Sequence, residues 1–515
     1  MKQRYPFIAL FVAGAAFASD CVLAQSPRKI EWKHLSSKNG DLPVPGPSTQ
    51  QTGSLVADLD KDGVNDFVLS FRKVAPALVW YRRTDKGWDR WLIEQQFLTV
   101  EAGGAAHDID GDGDLDLVFG NDSQGTELWW WENPAPNFDA NTSWKRRLIK
   151  RGGARQHHDQ VFADFKGTGT AQLVFWNQGA KTLFLADIPA NPKTTEPWPF
   201  APIFSGAAGE GATKGAALYA EGAAAADVDG DGKTDLLAGN YWFKHQGGDK
   251  FGAVKVGTIG GRIQAGKFKP GKRLQIVIAP GDGVGPLKFY ECAGDPANSA
   301  DWTGRDLLGR DVVHGHTLEV GDVDGDGHLD IFAAEMAKWT EARPDPNHPQ
   351  AKAWILFGDG QGNFRTEEIT GGHGWHEGRL ADLDGDGDLD LLNKPYNWEA
   401  PRVDVWLNNG TGPRRKRRSS VAPDRVLKAE VEARQSTDIE QNQQDSLSVR
   451  SIRTSTELDR SPSPSPRPSP HGRGRTVGSA WKSPEAADQP TRAEVIPSPW
   501  AEGHGEGKGT TRRPY

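Results

Sequence analysis

The stretch "HGHTLEVGDVDGDGHLD", His314 to Asp330, decides the fold, because its second half recurs along the chain. From Asp322 it reads D-x-D-x-D-G-x-x-D. The same comb of aspartates stands at "DLDKDGVND" from Asp58, "DIDGDGDLD" from Asp108, "DVDGDGKTD" from Asp227 and "DLDGDGDLD" from Asp382. Two worn copies fill the gaps. "DFKGTGTAQ" keeps only Asp164, and "KFKPGKRLQ", from Lys267, keeps no acid. Successive copies start 50, 56, 63, 40, 55 and 60 residues apart, so seven copies cover roughly residues 30 to 412. A repeat of this length marks a solenoid or a propeller.

Each copy has the same grammar. An apolar run such as "SLVADLD" leads into the comb, and a second such as "DLVFG" leaves it. An aromatic strand follows ("LVWYRR", "LWWWEN", "WILFGD"), then a fourth that often opens on Trp ("WDRWLIE", "WKRRLIK"). Four short strands per copy and no room for helices predict an all-β, seven-bladed β-propeller over residues 25–412. One coil of a β-solenoid is too short to hold such a copy. After the comb at Asp382 the chain offers only two more strands, and "KIEWKHL" near the start matches the missing fourth. The N-terminal strand is expected to complete the last blade and remove an open edge.

The comb's chemistry is that of a hard cation. Carboxylates at positions 1, 3, 5 and 9 and a carbonyl at 7 supply six or seven oxygens, which suits calcium. The candidate ligands are Asp58, Asp60, Asp62 and Asp66; Asp108, Asp110, Asp112 and Asp116; Asp227, Asp229, Asp231 and Asp235; Asp322, Asp324, Asp326 and Asp330; and Asp382, Asp384, Asp386 and Asp390. An EF-hand would need Glu at position 12, where these combs carry Leu69, Phe119, Ala238, Ala333 and Asn393. Crowded aspartates repel one another, so up to five structural calcium ions are expected to stabilise the fold. No ion is expected in the worn copies.

These combs resemble the FG-GAP/VCBS repeats of the integrin α-subunit propeller and of many exported bacterial proteins. The resemblance covers all seven copies and implies calcium in the loop between the first two strands of a blade. The pattern with "HGH" before a comb is also similar to the propeller part of fungal aldos-2-ulose dehydratase, a sugar eliminase. The fold and the polar channel mouth look like those of propeller-type polysaccharide lyases. Both likenesses imply β-elimination on a carbohydrate. Integrin-like members imply the alternative, a non-catalytic propeller that docks a protein or a glycan.

The first two strands of a blade form a hairpin, so residues six before the comb and thirteen after its start share the face opposite the calcium loops. About six residues at ~3.3 Å each separate the two faces by roughly 20 Å. Position −6 reads Thr52, Ala102, His158, Glu221, Gly261, His316 and His376, and position −5 adds Asp159, Arg262 and Glu377. Positions −7 to −9 add Glu101, His157, His314 and His373; near +13 stand Arg72, Asn121, Asn177, Asn240, Glu335 and Lys394, with Tyr241 and Tyr396 just beyond. Six of the thirteen histidines crowd into this window. The candidate catalytic residues are His158, His316, His376, Glu221, Arg262 and Glu335.

Three readings of this mouth stay open. The three histidines with Glu221 could present a site for an additional divalent metal such as Zn²⁺ or Mn²⁺. A histidine base could work without metal, with Arg262 or Lys394 neutralising a carboxylate or enolate. The channel could also be merely polar and wet. His107, just before a comb, reads as structural. The aromatic strands "LWWWEN" and "NYWFK" read as packing between blades, with stacking on sugar rings as the alternative.

The chain's ends bound the rest. Residues 1–24 read as a secretory signal: Lys2 and Arg4, the apolar "FIALFVAGAAFA", then "VLA" before Gln25. The segment is too short for a membrane span. The reading is a secreted or periplasmic monomer that does not span a membrane. Removal of the signal takes Cys21 with it and leaves Cys292 alone, so no internal disulfide is expected. Residues 413–515 turn to Arg, Ser and Pro, with 19 Lys+Arg against 13 Asp+Glu, and read as a disordered tail. "RRKRR" is read as a solvated charge run and not as a nucleic-acid patch. No phosphate loop, nucleophile elbow or Cys/His zinc pattern is present in the sequence.

Overall fold

Each comb folds as a closed turn because its carboxylates take its own backbone donors. Asp58 accepts the N–H groups of Asp62 (3.1 Å) and Gly63 (3.0 Å), and Asp62 accepts that of Val64 (2.8 Å). Positions 4 and 6 are left-handed, with φ of 70° at Gly325 and 93° at Gly327, which is why both favour glycine. Lys61 holds φ of 61° at the one comb without glycine at position 4.

The ninth side chain ties the turn to its sheet. Asp330 accepts the N–H groups of Val323 (2.8 Å) and Gly358 (2.8 Å). Asp390 does the same for Leu383 (2.7 Å) and Asn408 (2.8 Å). In the worn copies a glutamine takes over: Gln275 Oε1 accepts Phe268 N–H at 3.0 Å, and Gln172 Oε1 accepts Lys166 N–H at 3.0 Å. The turn is therefore built in all seven copies, with or without the other acids.

The computed structural model describes residues 29–206, 221–338 and 350–410. The expected signal (1–24) and tail (413–515) lie outside them. The strands form seven four-stranded sheets. Their first strands are Gln51–Ala57, Ala105–His107, His157–Ala163, Ala223–Ala226, Arg262–Gly266, Thr317–Gly321 and Arg379–Ala381. Each touches the first strand of the next sheet, and the last touches the first, so the seven close a ring around a channel. This is a seven-bladed β-propeller. In the seventh sheet the outer strand comes from the other end of the propeller: Trp32–Ser36 pairs with Asp404–Asn408, from Trp32 opposite Asn408 to Ser36 opposite Asp404. No helix among the described residues is long and apolar enough to cross a membrane.

The core lies between blades. Seven apolar clusters are each drawn from two neighbouring sheets. Trp80, Phe119 and Trp131 meet between the first and second blades, and Trp176 and Phe243 between the third and fourth. Trp130 and Trp131 of "LWWWEN" and Trp242 of "NYWFK" are fully buried in these interfaces. They pack blades together and are not open to a sugar ring.

Candidate metal and acid–base site at the channel mouth

The hairpins deliver the −6 residues where the strand reading put them. His157 pairs with Asn177 and His158 with Trp176, after which the register slips by one residue at Asp159. This bulge gives Asp159 a φ of 41° and turns its carboxylate back beside His158. His158 Nδ1 lies 2.6 Å from Asp159 Oδ2. The other nitrogen, Nε2, faces Glu221 Oε2 at 3.9 Å. His316 Nε2 stands 2.9 Å from the same Glu221 oxygen. One donor atom each from His158, Glu221 and His316 lie within 4.8 Å of one another, and all three residues are buried. They come from the third, fourth and sixth blades, so only the closed ring brings them together.

Around this trio the charges interlock. Arg262 Nη1 lies 2.6 Å from Asp159 Oδ1 and 2.9 Å from Glu377 Oε1. Glu377 Oε1 also faces His316 Nδ1 at 3.4 Å, and its Oε2 pairs with Arg379 Nη2 at 2.6 Å. Burial works against a charged imidazole, but the Asp159 carboxylate outweighs it and raises His158 to about 9. His316 is raised in the same way, chiefly by Glu221 against burial. Two imidazoles that attract protons around shared carboxylates mark a place where positive charge is favoured.

Four of the six candidate catalytic residues belong to this assembly: His158, Glu221, Arg262 and His316. His376 stacks on His316 (centroids 4.4 Å apart, planes at 21°) but is not in the donor set. Its Nδ1 accepts a hydrogen bond from Lys394 Nζ at 2.8 Å, and burial, then Lys394, hold its pKa well below the usual histidine range. The gathered donors are thus His158, His316 and Glu221, without His376. Glu335 has a different task. Its oxygens accept the N–H groups of Val313 (3.0 Å) and Lys352 (3.1 Å) and pair with Arg310 at 3.0 Å. Lys394 also donates to the carbonyls of Thr52 and His376, both at 2.8 Å, so its donors are used inside the protein. His107 stacks on Phe162 at 4.7 Å.

Two residues of the rim were not legible in the repeat pattern. Lys338 Nζ pairs with Asp282 Oδ1 at 2.9 Å, and Asp282 N–H donates to Glu221 Oε1 at 2.7 Å. Both lie just past the second strand of their blades, beyond the positions the repeat aligns. On the same rim Arg72 pairs with Glu101 and donates to Tyr396 Oη at 3.2 Å. A polar cavity of about 70 Å³ is lined by Asp159 and Arg262 of the interlocked cluster, by Gln160, Gln264 and Arg379, and by the backbone at Gly103 and Gly222. It is suited to water.

At the other face the comb donors also gather. One carboxylate oxygen each from Asp58, Asp60 and Asp62, from Asp108, Asp110 and Asp112, from Asp227, Asp229 and Asp235, and from Asp322, Asp324 and Asp330 lie within 4.8 Å of one another. An all-oxygen set of this kind fits a hard divalent cation. Basic side chains reach the same carboxylates: Arg82 pairs with Asp60 at 2.6 Å and Lys193 with Asp110 at 2.6 Å.

Two repeat-family models match the chain: an FG-GAP-like repeat over residues 322–392 and an FG-GAP repeat over residues 219–256. No curated protein matches. Among solved structures, BBS1N in complex with ARL6DN is 11% identical, covering 73% of this chain and 96% of its own, with a TM-score of 0.40. The Myceliophteria thermophila Cps50 (Swd1) β-propeller domain is 12% identical, covering 72% and 99%, with a TM-score of 0.39. The V. cholerae biofilm matrix protein Bap1 is 10% identical, covering 70% and 88%, with a TM-score of 0.35.

Proposed function

Taking the chain as an FG-GAP repeat propeller, we propose that its channel mouth holds a divalent transition metal on His158, His316 and Glu221 and acts on carbohydrate. The reaction class is elimination: a base takes the proton α to a carbonyl and a leaving group departs from the next carbon. The observation that carries this reading is the convergence of two imidazole nitrogens and one carboxylate oxygen from three separate blades. Two histidines and a carboxylate leave coordination positions open for a substrate.

When bound, such an ion supplies Lewis-acid polarisation of a carbonyl oxygen. The chain's own groups do the rest. Asp159 fixes the orientation of His158, Glu221 is steadied by the Asp282 N–H, and the rim of Arg72, Lys338 and Tyr396 meets the ligand first. On the opposite face we propose structural calcium in the five intact combs. The signal reading places the protein outside the cytoplasm, where calcium and polysaccharide are both available.

A second reading has its own observation. Arg262 and Lys394 spend their donors inside the protein, as they would in a propeller that only docks a glycan or a protein. The two readings separate on turnover. Polysaccharides offered to the full chain are assayed for the ultraviolet absorbance of an unsaturated product. Elimination predicts activity that falls by at least ~10³-fold in His316→Ala, with calcium content unchanged. Equal rates in His316→Ala and the parent protein would exclude the catalytic reading.

A further inference from the structure

We propose that Asp159, Arg262 and Glu377 form a single positioning unit for the channel metal, in which one guanidinium ties together the two carboxylates that orient His158 and His316. The inference rests on the metal reading of the channel and assigns Arg262 a role other than contact with substrate.

The geometry is paired. Each histidine of the donor set turns its Nδ1 to a carboxylate: His158 to Asp159 at 2.6 Å, His316 to Glu377 at 3.4 Å. A proton held between His158 Nδ1 and Asp159 leaves the lone pair on Nε2. His316 Nδ1 stands at ion-pair distance from Glu377 without a hydrogen bond, and in both residues Nε2 faces Glu221. Asp159 and Glu377 occupy the same repeat position in the third and seventh blades. Both have left-handed backbones, with φ of 41° and 55°. The bulge sets this conformation at Asp159, and at both positions the carboxylate stands beside a histidine of the donor set.

What they bind in common is Arg262, from the fifth blade. Its Nη1 lies 2.6 Å from Asp159 and 2.9 Å from Glu377, and all three side chains are at least nine-tenths buried. The remaining carboxylate oxygens are also placed. Asp159 Oδ2 accepts the Gly222 N–H at 2.6 Å, next to Glu221 in sequence, and Glu377 Oε2 takes Arg379 at 2.6 Å and the Gly103 N–H at 3.3 Å. A single cation thus spans three non-adjacent blades and registers both imidazoles against the third ligand. Removing it would leave two buried carboxylates facing each other, and each would re-aim its histidine.

Partners of this kind behind metal-bound histidines change metal affinity about 10–100-fold when altered. The test is cobalt(II) titration of the full-length protein, followed by visible absorption, with circular dichroism confirming the fold of each variant. Arg262→Met is expected to weaken cobalt about 10–100-fold and to change the band shape, and Arg262→Lys to fall between. Where Arg262→Met does not fold, the isosteric Asp159→Asn and Glu377→Gln serve. Each is expected to weaken cobalt about 10-fold, and the double variant to lose less than the product of the two, because both act through Arg262. Cobalt affinity and spectrum unchanged in folded Arg262→Met, or in both isosteric variants, would overturn the positioning unit alone. A parent protein that binds no cobalt, or binds it as well after His158→Ala, would overturn the metal reading and this inference with it.

Discussion

Asp330 accepts one backbone N–H from its own turn (Val323) and one from the end of the blade's third strand (Gly358), and its counterparts at Asp66, Asp116 and Asp390 make the same pair of bonds, at or just past the third strand's end. The worn copies show that the turn does not need the charge, because Gln172 and Gln275 keep a backbone bond without one. Asp330→Gln, which keeps one of the two bonds, is therefore expected to cost about half as much as Asp330→Ala in calcium-free buffer, about 1–3 kcal/mol, while weakening calcium at that comb. Asp330→Ala leaves two buried N–H groups without acceptors, at about 1–3 kcal/mol each. Denaturant unfolding of both variants with chelator present checks this; equal stability would show that the ninth side chain does not hold the turn. The same scale shows what the sequence could reveal of the site. His158, Glu221 and His316 were legible because they sit at one fixed offset from the comb. The part played by Asp159 and Glu377 was not, because it depends on a bulge and a left-handed backbone that a repeat alignment cannot show. His376 shares the offset yet leaves the donor set, because Lys394 on the returning strand claims its Nδ1.

At the scale of elements, the outer strand of the seventh blade carries the ring's join. His34 on Trp32–Ser36 stacks on Trp406 at 4.3 Å and pairs through Nε2 with Asp404 Oδ1 at 2.9 Å. Asp404 also takes Arg402 at 2.6 Å and is fully buried. Burial alone would raise this carboxyl, but His34 and Arg402 win and hold it below the usual carboxylate range. A depressed acid adds stability above its unfolded pKa of about 4 and loses it as pH falls through the lower folded value. Asp404→Asn is expected to cost about 1–3 kcal/mol near neutral pH, since His34 and Arg402 lose this charged partner while Arg402 keeps Glu399 at 2.8 Å. The deficit should shrink below pH ~4, where the parent loses the same charge. A deficit that stays constant from pH 7 to pH 3 would remove Asp404 from the join. The four-strand grammar was readable because every interface repeats one aromatic layer, and a Trp-to-Ala change there, such as Trp131→Ala, falls in the ~3–5 kcal/mol range.

At the scale of the molecule, the two faces of the disc divide the work: acidic turns on one, a histidine and carboxylate cluster on the other. Calcium that binds only the folded state adds ~2.7 kcal/mol per site at one hundred times its Kd. Chelation is expected to lower Tm and to speed hydrogen exchange in the five intact combs, while the turns at 164–172 and 267–275 keep their protection. Uniform deprotection of all seven turns would speak against comb-bound calcium. If the closed ring assembles one further metal site from three blades, elemental analysis of the full-length protein will detect the ion. One transition-metal ion per chain is expected besides calcium, lost in His158→Ala and in His316→Ala and retained in His376→Ala, with calcium the same in all four proteins. A parent protein that carries calcium alone after incubation with zinc or manganese and removal of the excess, or a transition metal that survives both His158→Ala and His316→Ala, would contradict it.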